Sequence, residues 1–237
     1  MDRQTRKDLK TDKFAEEVFD VFTWAGVHKT EVIRYSVLLV AVVAIGLGVL
    51  FYTRSQAAQR GDAMAKAMRI DDAVAGPTQP PGPALHFNTE EEKEKARTQA
   101  FSDVVSKYSG SQEAAISNLY LAGYDVDGGR LDSAQKRFQQ VVDDAPKPYA
   151  SLARLALAQV YATQGKTADA EKLLRYLMDN PTATVSKDQA TIVLGQILSP
   201  SNPAEAHKLL DPLRTSTRGA VSRTAITAAA NIPNTAK

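Results

Sequence analysis

The sequence predicts an all-α protein: one transmembrane helix followed by an α-solenoid of about three and a half helical hairpins. Three observations predict it. An uncharged run extends from Tyr35 to Tyr52, small and bulky residues recur at a fixed offset of 36 residues, and the 237-residue chain is 43% hydrophobic but only 7% aromatic, the balance of an Ala/Leu-rich helical protein. Cys is absent, which excludes disulfides, thiolate nucleophiles, Cys-based zinc sites and a lipidated Cys. Lys and Arg number 29 against 27 Asp and Glu, so the chain lacks the strongly basic balance that a nucleic-acid partner requires.

The first element is a tail, residues 1–31. Within 12–29, Phe14, Val18, Val21, Phe22 and Ala25 fall on one face of a helix, opposite the acidic Glu16, Glu17 and Asp20. Helices that bind anionic lipid surfaces are usually rich in Lys and Arg, so packing on a partner, shallow insertion of Phe19 and Trp24, and a helix that only continues the anchor all stay open.

The second element is the anchor, residues 32–53. Tyr35 to Tyr52 are 18 consecutive residues without a charge, which as a helix extend about 27 Å, close to the thickness of a bilayer core. Val32 and Ile33 lengthen the run if Arg34 snorkels to the headgroups, and Tyr35, Phe51 and Tyr52 stand where aromatic rings favour the interface. A helix buried in a soluble core normally keeps a polar face, and a signal peptide has a shorter leader and a shorter apolar stretch. Ser55-Gln56-Ala57 resembles a cleavage site and keeps a cleaved leader as the alternative.

Orientation follows from the bulk of the flanks. Lys29 and Arg34 precede the run, and Arg54, Arg60, Lys66 and Arg69 follow it, a count that taken literally puts the C-terminal side inside. Long C-terminal domains nevertheless cross largely regardless of charge, so the expected topology is a cytoplasmic N-terminus and an exported C-terminal domain.

Residues 54–86 are expected to form a helical stalk and a Pro-rich linker, because Pro77, Pro80, Pro81 and Pro83 cannot occupy a helix interior. The repeat domain is then 87–232, with a disordered tail at 233–237. Thr89 followed by Glu90, Glu91 and Glu92 reads as a capped helix start.

The repeat is visible on aligning 129–138, 165–174 and 201–210. Ala134, Ala170 and Ala206 coincide, as do Lys136, Lys172 and Lys208, and Phe138, Leu174 and Leu210. Each unit reads as two helices. They are 112–127 and 131–144 in the first unit, 149–164 and 167–180 in the second, and 186–198 continuing after a break to about 215 in the third. Ala100, Val104 and Tyr108 fit a preceding second helix. The alanines mark a close approach of paired helices, and the bulky residue one turn later fills the space beside the next helix.

These units resemble tetratricopeptide repeats. The family's Leu-Gly/Ala, Tyr, Gly, Ala, Phe/Leu, Pro series is matched by Leu157, Ala158, Tyr161, Gly165, Ala170 and Leu174, and by Leu121, Ala122, Gly129, Ala134, Phe138 and Pro146. Departures are Asn118 and Arg154 at the family's Trp position, Asp125 at its Tyr position, and a third unit that keeps little besides Ala206 and Leu210. The layout of tail, single anchor and exported repeats also resembles ancillary SecYEG translocon subunits. That resemblance implies the channel, a membrane-anchored periplasmic foldase and emerging chains as partners. It also implies the inner membrane as location, with the repeats in the periplasm.

The family's groove positions, carried over at the 36-residue offset, are Leu119, Gly123 and Asp127; Leu155, Gln159 and Thr163; and Thr191. Leu119 and Leu155 suit an inter-repeat core as well as a groove. His28, His86 and His207 are scattered without metal-ligand spacing, Gly128-Gly129 lacks the Lys-Ser/Thr of a phosphate loop, and Asp125, Asp127, Asp143 and Asp144 sit at helix ends and turns. No enzymatic activity, cofactor, metal or small-molecule substrate is therefore expected. The expected function is a membrane-tethered adaptor for protein partners, with a self-associating cell-envelope or cell-division scaffold as the alternative.

Overall fold

A computed structural model describes residues 23–24, 27–78, 81–82 and 84–233. The apolar face expected for the helix at 12–29 lies outside the described residues. Trp24, inside them, is exposed and stacks on His28 with ring centroids 4.9 Å apart. The chain forms two compact units, residues 1–58 and 59–237.

In the first unit the main element is α1, Lys29–Asp71, which continues into the second unit. Among the described residues it is the one helix long and apolar enough to cross a membrane, and none of its apolar window is buried by protein. Val37, Leu38, Leu39, Val40, Ile45, Leu47 and Leu50 are all exposed. Burial in water-excluding surroundings is the only way such a surface gains free energy, at about 25 cal/mol per Å².

The second unit is a stack of antiparallel helices: α2 (Glu90–Lys107), α3 (Gln112–Asp127), α4 (Leu131–Asp144), α5 (Lys147–Thr163), α6 (Thr167–Asp179), α7 (Lys187–Leu198), α8 (Pro203–Arg214) and α9 (Gly219–Ala230). Local chemistry sets the boundaries. Thr89 caps α2 by accepting from the Glu92 N–H at 3.1 Å, and the Glu92 carboxylate takes the Asn88 N–H at 3.1 Å. Ser111, Ser186 and Asn202 cap α3, α7 and α8 in the same manner. Helices α3 and α5 end in matching turns, in which the left-handed Gly129 (φ +69°) and Gly165 (φ +75°) let the Arg130 and Lys166 N–H groups reach the Asp125 and Tyr161 carbonyls at 2.7 and 2.8 Å.

The pairs α3/α4, α5/α6 and α7/α8 are the three expected hairpins. Ala134, Ala170 and Ala206 are fully buried, and Phe138, Leu174 and Leu210 fill the space one turn on. Apolar clusters run on from pair to pair, so each pair covers surface its neighbour exposes. Helix α9 closes the C-terminal flank, burying Ala225, Ala228 and Ile232, with Arg218 paired to Asp188 of α7.

The expected stalk does not stand apart. Residues 59–71 of α1 pack on α2 and α3, and Ala67 is fully buried in a cluster with Phe101 and Leu121. Polar ties follow the same path: Tyr108 Oη to the Gln59 carbonyl at 3.4 Å, Arg60 to Glu113 at 3.3 Å, and Tyr124 Oη to Asp71 at 2.6 Å. The half hairpin expected at α2 thus finds its missing first helix in the end of α1. The Pro-rich linker is likewise closed at its base, where β1 (Val74–Ala75) pairs in parallel with β2 (His86–Phe87). Apolar side chains at 63–73 could not be seen as core from their own spacing, because Lys66 and Arg69 interrupt them.

Candidate functional site

The first helices of successive pairs, α3, α5 and α7, lie beside one another, and their outward faces form the surface on which the candidate groove residues fall. Gly123 faces open space, since a Cβ there would meet nothing within 4 Å. Asp127, Gln159 and Thr163 are exposed, and Thr163 Oγ1 donates to the Gln159 carbonyl at 3.0 Å. Leu119 is partly buried against Ala122, Ala153 and Leu157, and Leu155 is buried at 9% exposure in the core of the next pairs. The two leucines therefore form the packed base between repeats, while Gly123, Gln159, Asp127 and Thr163 face solvent.

Thr191 is not on this surface. It is 7% exposed, with its hydroxyl donating back to the Lys187 carbonyl at 2.8 Å. The reason is a one-residue change of register. Ser117, Ala153 and Ala190 are equivalent fully buried positions, as are Leu121, Leu157 and Leu194, so α7 lies 37 residues after α5 although the second helices keep an offset of 36. The interval from α7 into α8 is one residue shorter than its counterparts: Leu194 to Ala206 spans 12 positions, against 13 from Leu121 to Ala134 and from Leu157 to Ala170. It has no left-handed Gly: Ser199 stays in the right-handed region at φ −47°. Thr191 is therefore equivalent to Asn118 and Arg154, the family's Trp position.

With that register, Ile192 and Gln196 continue the series Leu119–Gly123 and Leu155–Gln159. Gln196 is exposed, and Ile192 lies at the base of a cavity of about 280 Å³ walled by Gln189, Val193, Gln196, Val221 and Thr224. The offset alone misses these residues. The dipeptide Leu194-Gly195, which stands in line with Leu121-Ala122 and Leu157-Ala158, is the signal that locates them. Gly195 does what the alanines do, since a Cβ there would sit 2.6 Å from Leu210 Cγ.

The surface carries two primary amides, Gln159 and Gln196, over an apolar base. Amides both donate and accept, which suits the alternating N–H and C=O groups of an extended chain. Its flank carries a fixed charge cluster. Asp125 is buried at the α3 C-terminus and accepts from Ser133 Oγ at 2.7 Å, Arg130 Nε at 2.8 Å and Arg137 Nε at 2.9 Å. Burial pushes its carboxyl pKa upward, but the three hydrogen bonds outweigh it and hold the group below the usual carboxylate range. At the equivalent place in the next pair Lys166 lies over the Tyr161 ring, 5.5 Å from its centroid, so a cation–π contact replaces the ion pair.

The three histidines stay apart: His28 Nδ1 donates to the Trp24 carbonyl at 3.1 Å, His86 Nε2 to the Gly76 carbonyl at 2.8 Å, and His207 lies 3.7 Å from Asp211. Among the described residues no group of three His, Cys, Asp or Glu side chains could hold a metal ion.

A family model described as a tetratricopeptide repeat-like domain matches residues 31–211, from the start of α1 into α8. No curated protein and no solved structure matches the chain.

Proposed function

The chain belongs to the tetratricopeptide repeat-like domain family, and on that premise we propose that it is a non-enzymatic protein-binding adaptor, tethered to a membrane through residues 32–53. The observation that carries this reading is the row of outward positions Gly123, Gln159 and Gln196 on three successive first helices, each above a packed apolar residue. Rigid helices hold that row open before any partner arrives, so little ordering is lost on binding. The exposed apolar run of α1 supports the tether. Confinement to a membrane raises the effective concentration of the groove near membrane-bound partners.

For the partner, the reading is the bacterial export machinery: a SecYEG-type channel, a periplasmic foldase, or chains emerging from the channel, with the repeats on the periplasmic side of the inner membrane. Its support is the layout of tail, anchor and repeats. Capture of the full chain from mild detergent tests it. Recovery of channel or foldase components that falls when Gln159 and Gln196 are both replaced by Lys is the expected result. Recovery of no export component, or equal recovery by the variant, overturns it. A stable homo-oligomer in light scattering, with no other component bound, would point instead to a scaffold. Protease protection in spheroplasts reports the topology separately.

A further inference from the structure

The first pair has a second concave feature that the partner groove does not use. Between the end of α1, the β1–β2 clip and α2, two adjoining cavities of about 990 and 540 Å³ share Lys66, Ile70 and Ala96 as common walls. In a stacked array only the terminal pairs have an uncovered flank, and at the other end α9 supplies the cover. Here the flank is open, with Ile70, Leu85, Phe87 and Ala96 on the cavity walls and Leu85 45% exposed.

The rim is cationic. Lys66 and Arg69 are exposed and pair with no carboxylate among the described residues, and Lys107 lies over the Tyr108 ring at 5.4 Å. The carboxylates facing the same space are Asp72 and Asp103, and Asp103 already accepts from the Gln99 amide at 2.7 Å. His86 Nε2 is spent on the Gly76 carbonyl. Two free cations beside an apolar trough match one amphiphile with an anionic head, and the wall that carries both cations is the same helix that carries the apolar run.

We propose that this trough binds an anionic phospholipid, with the phosphate at Lys66 and Arg69 and an acyl chain along Ile70, Leu85, Phe87 and Ala96. A solvent-exposed ion pair with the phosphate is worth up to about fivefold in affinity. The inference rests on the membrane tether proposed above.

The test uses the full chain reconstituted in vesicles carrying a photoactivatable phosphatidylglycerol or, separately, a photoactivatable phosphatidylcholine, with adducts mapped by mass spectrometry. Adducts on residues 35–52 with both probes report the tether. Adducts on 66–70, 85–87 or 96–104 report the trough. The expected result is trough labelling by phosphatidylglycerol well above phosphatidylcholine. That labelling should fall by up to about fivefold for each of Lys66→Ala and Arg69→Ala and rise in Asp72→Lys, while labelling of 35–52 is unchanged. Trough labelling that is absent, equal for the two probes, or unmoved by the variants overturns the lipid site whatever happens at 35–52. Loss of labelling at 35–52 alone overturns the tether. All three substituted residues are exposed, so their replacement leaves the core intact.

Discussion

Tyr124 donates its phenolic hydrogen to Asp71 at 2.6 Å, joining two residues 53 positions apart. Arg97 stacks over the Tyr124 ring at 4.0 Å and lies 3.7 Å from the same carboxylate. The three side chains lock the end of α1 to α2 and α3, which makes the last turns of that helix the first helix of the repeat array.

Tyr124→Phe removes the hydrogen bond and leaves Asp71 with Arg97 alone. A stability loss of about 1–2 kcal/mol is expected in denaturant unfolding of the detergent-solubilised chain. Burial, and then the bond to Asp71, raise the phenol's pKa above its ordinary value. A raised pKa means stability is complete below the ordinary tyrosine pKa of about 10 and is lost as pH climbs beyond it. The Phe variant should lack that alkaline loss.

Asp125 behaves in the opposite sense. Its folded pKa lies below the ordinary value of about 4, so the stabilisation is present above that pH and disappears as acid protonates the folded carboxylate. Asp125→Asn should flatten the acidic limb of an unfolding-midpoint profile. At pH 7 it should cost about 1–3 kcal/mol, because Arg130 and Arg137 lose their charged acceptor. A profile parallel to the parent's would refute the assignment.

Gly195 and Gly123 should respond with opposite signs. Gly195→Val drives a side chain into Leu210 and is expected to cost about 2 kcal/mol or more. Gly123→Ala meets open space in the middle of α3 and should stabilise by about 0.5–1 kcal/mol through helix propensity. Thermal unfolding of the two variants checks both.

The turns give a third contrast. Gly129→Ala and Gly165→Ala force a side chain into the left-handed region and should each cost about 1 kcal/mol. Ser201→Ala, at the aligned position of the third turn, should change stability by less than about 0.5 kcal/mol. An equal loss at all three sites would contradict the altered turn.

At the groove, Gln159→Ala and Gln196→Ala should weaken partner capture while leaving unfolding within about 0.5 kcal/mol of the parent, since both amides are exposed. Loss of capture at Thr191→Ala with none at Gln196 would restore the uninterrupted 36-residue register.

What the chain declared by itself was everything written in local spacing. The apolar run, the capped start at Thr89, the Gly129 and Gly165 turns and the Ala134, Ala170 and Ala206 series are each set by residues within a few turns of one another, so pattern and propensity suffice to read them. Only packing in three dimensions decided that 59–71 is core and not stalk, because Ala67 is buried by Phe101 and Leu121 from other helices. The same holds for Thr191 and Gln196. A single residue lost between the equivalent positions of α7 and α8 rotates α7 by about 100° relative to the aligned pattern, and what fixes the rotation is the fit of Gly195 against Leu210 across the hairpin.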